Sequence, residues 1–566
     1  MTREAEATVR GVRAPAWAGM LGGVAAVVLG AGIGELLAVL VAPASGPFTV
    51  VGGVLIDLAP AWAKNTAIAL FGTNDKIALL AGIAIVMLAA AGAVGVLELR
   101  RPWFGAAVCA ALGAGVAVLA MTRADATGLS WLPSLAAGTV AAVAVRMLTQ
   151  LARRAVGTDA ALPVVPSSEV GRVHAVTGTG TTTSQKTTSS DRHAVHGSDD
   201  VVIGDDVARP EPSRRLFLAW TGAAAAAGIV AAIAGTALQA GSRAVEAARK
   251  ALRLPSPAVS AASVPAGAEL GIPGLAPVVT ANDRFYRIDT ALVVPQIDPA
   301  DWSLRIHGLV EQEVVLTWDE LLALPLEESY TTLACVSNPV GGDLIGNAKW
   351  LGYPVRELLA RARPSADADM VLSRSIDGFS ASTPLEVLTD DRNAILAVGM
   401  NDEPLPPEHG FPVRMVVPGL YGYVSATKWI TELEVTRFAD ATAYWTDRGW
   451  SAKGPIKVQS RIDVPLRNQG LSPGDTVIAG VAWQQHVGIS KVEVQVDGGQ
   501  WREATLASAI SDDTWVQWSI PWTAEPGSHA IRCRATNALG ETQTETDAWP
   551  MPDGATGWQQ LDIDVA

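Results

Sequence analysis

Before residue 240 this chain of 566 residues carries apolar runs long enough to cross a bilayer, and they confine the first part of the fold to helices. A crossing takes about 20 helical residues, and irregular backbone or an open sheet edge cannot satisfy its polar groups in hydrocarbon. Four runs qualify, at about Ala16–Val41, 77–99, 103–121 and 131–151, and a fifth at 216–238 is richer in Ala and Gly. The apolar stretch 50–71 is broken by Asp57, Pro60 and Lys64, which predicts a re-entrant or interfacial segment. None of the seven histidines falls in a run, so a bis-histidine haem within the bilayer is not expected.

Charge orients these helices. Arg3, Arg10 and Arg13 precede the first run, and Arg100 and Arg101 separate the second from the third. Arg146, Arg153 and Arg154 sit at the end of the fourth or just beyond it, and Arg214 and Arg215 precede the fifth. With five crossings every group falls on the cytoplasmic side, and everything after about residue 240 lies outside. Ser213-Arg-Arg-Leu-Phe-Leu218 also matches a twin-arginine export signal, which carries proteins across already folded and suits a cofactor inserted in the cytoplasm. A plain positive-inside anchor would need only the arginine pair. Residues 155–212 are polar and of low complexity, as expected of a disordered cytoplasmic loop. His193 and His196 with Asp191 lie there, where nothing would fix a metal geometry.

The expected architecture is therefore multi-domain: a transmembrane helical region over 1–154, the loop over 155–212, the signal and fifth helix over 213–240, and a linker over 241–268. A mixed α+β domain over 269–454 and a β-sandwich of immunoglobulin type over 455–566 complete it. Strand-like runs at 302–310, 330–335, 370–375, 393–398 and 413–417, with short helices at 317–324 and 354–362, support the α+β part. Alternating runs at 476–483, 490–496, 515–520 and 529–535 support the sandwich. The net charge of −14, with no basic stripe, argues against nucleic acid as a partner. Three cysteines cannot make a disulfide framework, nor an iron–sulfur cluster needing four thiolates.

Cys335 is the cysteine free for chemistry, since Cys109 lies in an apolar run and Cys533 in an alternating strand. At a strand end beside Asn338, Gly341 and Gly342, it is placed to hold a soft metal or to act as a nucleophile. Two later segments add anion-binding chemistry. One is Pro406-Pro-Glu-His-Gly-Phe-Pro-Val-Arg414, where Arg414 offers a planar fork for phosphate; the other is Ser425-Ala-Thr-Lys-Trp429. Each segment alone reads equally well as a turn or a strand end.

Taken in order with Thr280-Ala-Asn-Asp-Arg-Phe-Tyr-Arg287, these segments resemble the sulfite oxidase family of molybdopterin enzymes over about residues 270–566. The resemblance implies that the Cys335 thiolate ligates molybdenum beside the dithiolene of a pterin. It implies pterin or phosphate contacts at Asn282, Tyr286 and Arg287, at Ser375, at His409 and Arg414, and at Ser425, Thr427 and Lys428. The last domain is similar to that family's dimerisation domain and so implies a homodimer. A small-molecule substrate and an electron-transfer partner, a membrane quinone or a haem protein, are also implied.

The chain departs from the family at two places. Where sulfite oxidases follow the ligand cysteine with Gly-Asn-Arg, this chain reads Cys335-Val-Ser-Asn-Pro339, and their Tyr-Gly-x-Ser-Ile-Pro is Phe379-Ser-Ala-Ser-Thr-Pro384 here. The lost guanidinium and phenol argue against sulfite. Family members that reduce sulfoxides of oxidised methionines offer the alternative, and a pocket floored by Asn338, Asp377 and Phe379 suits a less charged substrate. Asn338 and Asp377 are thus the candidate catalytic side chains besides Cys335. Two rival readings remain: a non-catalytic receptor with a degenerate cofactor domain, and a transporter. The spans hold little polar machinery beyond Glu35, against the transporter.

Overall fold

The computed structural model of the chain describes residues 14–58, 75–123, 126–157, 214–239, 243–466 and 470–566. Ser213 of the arginine motif, residues 59–71 of the interfacial stretch and the loop from residue 158 to 212 lie outside the described residues.

Helices α1 (Ala16–Val41), α2 (Pro47–Leu58), α3 (Asp75–Arg100), α4 (Phe104–Met121), α5 (Leu132–Gly157) and α6 (Arg214–Gln239) make up the apolar part. All but α2 are long and apolar enough to cross a membrane. Helix α1 is the hub, packed against α3, α5 and α6. Glycines let the backbones meet: a Cβ on Gly23 would strike the Ala91 carbonyl of α3, and one on Gly32 would strike that of Gly228 in α6. Apolar packing gains little between helices in lipid, so this close approach supplies much of the contact.

Two carboxylates sit inside this region with partners. Glu35 Oε1 accepts the Phe48 N–H at 2.8 Å. Glu98, fully buried, accepts the N–H groups of Trp103 and Ala106 at the start of α4 and pairs with Arg146 at 2.9 Å.

The stretch read as a linker is instead docked. Helix α7 (Arg243–Ala251) lays Arg249 against the Pro404 carbonyl at 3.1 Å and near Glu403 at 3.7 Å. Leu254 abuts Gly399, and Val259 bridges in parallel to Glu327. The Pro/Ala/Ser composition that suggested a tether lets the backbone run extended along a sheet edge. Helix α2 also reaches the part of the chain after these helices, since a Cβ built on Gly52 would lie 2.8 Å from Leu292 Cδ1.

The α+β domain contains two sheets. Strands β1 (Ser303–Gly308), β2 (Val314–Thr317), β5 (Met370–Ser375), β6 (Ser380–Pro384) and β10 (Ile430–Thr436) form one, in the order β2-β1-β10-β5-β6. Strands β3 (Glu327–Ala334), β4 (Ile345–Pro354), β7 (Ile395–Met400) and β8 (Glu403–Pro404) form the other, with β9 (Arg414–Val416) on β7. Helices α8 (Trp318–Leu322), α9 (Val355–Ala362) and α10 (Leu385–Thr389) cover them. Thr317 and Glu320 form a capping box that fixes the start of α8. Leu304, Ile306, Leu358, Leu396 and Leu433 belong to the shared core, all fully buried.

The last part is two four-stranded sheets. One joins β11 (Gln459–Val464), β12 (Gly474–Trp483), β15 (Thr505–Leu506) and β16 (Val516–Ala524) in the order β11-β12-β16-β15. The other joins β13 (Ile489–Val496), β14 (Arg502–Glu503), β17 (Gly527–Asn537) and β18 (Gln559–Val565) in the order β14-β13-β17-β18. They share a core around Trp518, Ile478, Val492 and Ile531. Cys533 is buried there as a free thiol that accepts from Ser460 Oγ at 3.2 Å.

This sandwich braces the cysteine loop. Arg461 Nη1 donates to the Gly342 carbonyl at 3.0 Å. Trp515 donates through its backbone N–H to Thr332 Oγ1 and through its indole to the Val278 carbonyl, both at 2.9 Å.

Candidate active site

A strand end, two glycine-containing loops and a proline-rich turn converge on one open cleft of about 860 Å³, its solvent-filled mouth included. Cys335 enters directly from the end of β3, its own N–H bonded to the Leu344 carbonyl at 2.9 Å. Burial pushes its thiol up from the ordinary range, partly offset by hydrogen bonds from Ser337. A thiol so placed is inert until something cationic stabilises the thiolate.

The cleft's cationic wall comes from the proline-rich turn and the loop before β10. Arg414 is only 5% exposed, and its Nε and Nη1 donate to the carbonyls of Met415 and His409. It has no carboxylate partner among the described residues, and its guanidinium lies 5.1 Å from the Trp350 ring centroid. Burial pulls its pKa down to about 10. Lys428 pairs with Asp289 at 2.6 Å and donates to the Glu408 carbonyl at 2.9 Å, and burial lowers it to about 8. His409 is 3% exposed and held neutral, lowered to about 4 by burial and then by Arg414. Its Nε2 lies 3.0 Å from the Asn282 carbonyl, which fixes Nε2–H as the donor. Tyr286 borders the same space, its phenol kept protonated by burial.

The residues singled out in the sequence divide. Cys335, Tyr286, Ser375, Asp377, His409, Arg414 and Lys428 all line the cleft. Five others spend their side chains elsewhere. Asn338, expected among the catalytic side chains, accepts the Leu344 N–H on its Oδ1 at 3.0 Å and so holds the cysteine loop closed. Asn282 Oδ1 accepts from Asn401 Nδ2 at 2.8 Å. Arg287 pairs with Asp289 at 2.9 Å, Ser425 donates to the Tyr421 carbonyl at 2.9 Å, and Thr427 Oγ1 shares a 2.7 Å hydrogen bond with Ser373. Arg287 reaches the site through Asp289, whose carboxylate it shares with Lys428. What sequence reasoning missed is the aromatic side of the cleft: Tyr423, Trp429, Trp445 and Trp450.

Comparison with known proteins fits this geometry. Residues 291–445 match the model of the oxidoreductase molybdopterin binding domain. The uncharacterized oxidoreductase YuiH of Bacillus subtilis is 31% identical over 157 residues, 28% of this chain and 76% of that protein. The mitochondrial sulfite oxidase of Rattus norvegicus is 28% identical over 339 residues, 51% of this chain and 62% of that enzyme. The chain belongs to the sulfite oxidase family of molybdopterin-dependent oxidoreductases. It spans less than two thirds of the rat enzyme's length. Among solved structures, the sulfane dehydrogenase SoxCD of Paracoccus pantotrophus aligns at 23% identity and a TM-score of 0.45, over 51% of this chain and 84% of that one.

The residues of this family member suit a molybdopterin. No group of three or more His, Cys, Asp or Glu converges on a metal among the described residues, so a metal at Cys335 must bring its other ligands with it. A pterin dithiolene does that. The buried Arg414 guanidinium and the Lys428 ammonium that line the cleft would suit a pterin phosphate.

Retention of such an anion should depend on pH with a definite sign. Lys428 is charged below about 8 and loses its proton above it, whereas His409 stays neutral down to about 4. Pterin released from the purified protein, read by its fluorescence, should therefore rise as pH passes upward through about 8. Lys428→Gln should release pterin more readily at neutral pH and lose the step.

Proposed function

We propose that this chain is a membrane-anchored molybdenum enzyme whose cleft opens outside the cytoplasm. It moves an oxygen atom and two electrons between water and a small, uncharged sulfur or nitrogen oxide, and it is not a standard sulfite oxidase. The observation that carries this reading is the make-up of one cleft: a lone thiol and a buried guanidinium on one side, and the Asp377 carboxylate on another. The first pair suits the cofactor. The carboxylate, with Pro339 in the cysteine loop where relatives carry arginine, disfavours a sulfur oxyanion.

In the reductive direction the oxide gains two electrons and two protons, its bond to oxygen breaks, and the oxygen leaves as water. The bound cofactor supplies the two-electron couple. Cys335 would hold the metal, Arg414 and Lys428 would hold the anionic end, and the Tyr286 phenol, kept protonated by burial, borders the same space. Five apolar helices and the arginine groups at their cytoplasmic ends support the anchoring and the sidedness. A lipid-soluble carrier or a haem protein would supply the electrons, and the paired sheets at the end of the chain would support a homodimer.

The test uses the full chain in detergent, purified from cells supplied with molybdate. Metal analysis should give close to one molybdenum per chain. Activity should appear with sulfoxides or amine oxides and a reduced viologen dye, and be much weaker with sulfite and ferricyanide. A metal-free protein that turns over none of these favours the receptor reading, and efficient sulfite oxidation removes the substrate reading alone.

A further inference from the structure

Five aromatic rings run in contact along one side of the cleft. Phe379 lies 5.9 Å from Tyr444, Tyr444 5.2 Å from Trp445, Trp445 6.2 Å from Trp450, and Trp450 5.9 Å from Tyr423, centroid to centroid. All but Tyr444 line the cavity. The rings are held from behind. Tyr423 donates its hydroxyl to the Ser451 carbonyl at 2.8 Å, Trp450 belongs to the domain core, and the Arg448 guanidinium lies 3.6 Å from the Tyr444 ring centroid while donating to its carbonyl. The wall is therefore formed before anything binds.

Its chemistry contrasts with that of the cleft's cations. Arg414 and Lys428 face the space assigned to the cofactor's anionic end, and Lys428 is further occupied by Asp289. Asp377, two residues before Phe379, also lines the cleft and accepts from the Phe379 N–H and from Thr290 Oγ1. Ring faces are electronegative, and a carboxylate beside them repels anions. An apolar substituent, by contrast, gains from burial against them.

We propose that this aromatic wall seats the apolar substituent of an uncharged organic sulfoxide, and that Trp445, with Trp450 behind it, determines which sulfoxide is preferred. The proposal rests on the sulfoxide or amine-oxide reading above and narrows it. The reaction is R–S(O)–R′ plus two electrons and two protons, giving R–S–R′ and water, with reduced viologen as the electron source.

The experiment compares methyl phenyl sulfoxide with dimethyl sulfoxide on the molybdenum-loaded full chain. Wild type should favour the phenyl compound by about tenfold or more in kcat/KM, chiefly through KM, the size expected for an added apolar group in a fitted pocket. Trp445→Ala should abolish most of that preference, and Trp445→Phe should restore much of it. A readout free of turnover is the binding of methyl phenyl sulfone, which has the same substituents, followed by calorimetry. It should weaken in Trp445→Ala and recover in Trp445→Phe.

Turnover of dimethyl sulfoxide without a phenyl preference, or with one that Trp445→Ala leaves intact, overturns the wall and spares the enzyme. A loaded protein that reduces neither sulfoxide and binds no sulfone overturns both.

Discussion

Cys335→Ser is expected to yield a folded protein that contains little molybdenum and turns over at least about a hundredfold more slowly than the parent. That factor is the upper end of what loss of a mere supporting group at a metal site costs, so loss of a ligand should meet or exceed it. The thiol sits at the end of a strand, its backbone held by Leu344 and its loop by Asn338, and neither contact uses the sulfur. Serine therefore fits the same backbone, and thermal unfolding of the metal-free variant should lie close to that of the metal-free parent. Metal analysis and pterin fluorescence, measured side by side, give the decision. Parent-like molybdenum content in the variant would remove Cys335 from the site.

Arg414→Met should have the second largest effect, on retention of the whole cofactor more than on the metal alone. The guanidinium is buried with two of its donors on carbonyls and no carboxylate, so its charge is uncompensated by protein among the described residues. Removing one member of a buried charge pair costs about 2–5 kcal/mol or more. The expected result is a protein purified largely without pterin, with kcat per bound molybdenum much less affected than occupancy. Methionine keeps the contact with Trp350 while removing the charge, so the domain should stay folded. If the variant retained its pterin, some other group would hold the anionic end.

How much of this was legible before folding depends on where each signal lies along the chain. Cys335, His409 and Arg414 sit in or beside short stretches that hold glycine and proline, Lys428 sits in Ser425-Ala-Thr-Lys-Trp429, and the fold brings all four to one cleft. Tyr286 joins them from the Thr280–Arg287 segment, and Ser375 and Asp377 from outside the quoted segments. Asn282, Ser425 and Thr427 belong to the same segments but turn their side chains to neighbouring backbone or side chains. A motif marks a stretch of chain without saying which face of it meets the ligand.

The Asp289–Lys428 pair joins positions 139 apart, beyond the reach of any local pattern. The aromatic wall draws on positions from Phe379 to Trp450 with no period to announce it. Strand β4 escaped because Ile345-Gly-Asn-Ala-Lys-Trp-Leu-Gly-Tyr-Pro354 interrupts its alternation with glycine and lysine, yet it is almost wholly buried. Helix α7 escaped because its nine residues fall in a stretch already assigned to a linker.

The seam behind the cysteine loop sets a limit on dissection. The Gly342 carbonyl, the Thr332 hydroxyl and the Val278 carbonyl each accept a hydrogen bond across it, from Arg461 and Trp515. A protein engineer who cut the chain there to obtain a minimal catalyst would remove three hydrogen-bond donors at once, one of them from the Gly342 carbonyl in the cysteine loop. The smallest competent unit should therefore begin with the docked stretch near Leu254 and run through the last strand, whatever becomes of the helices before it.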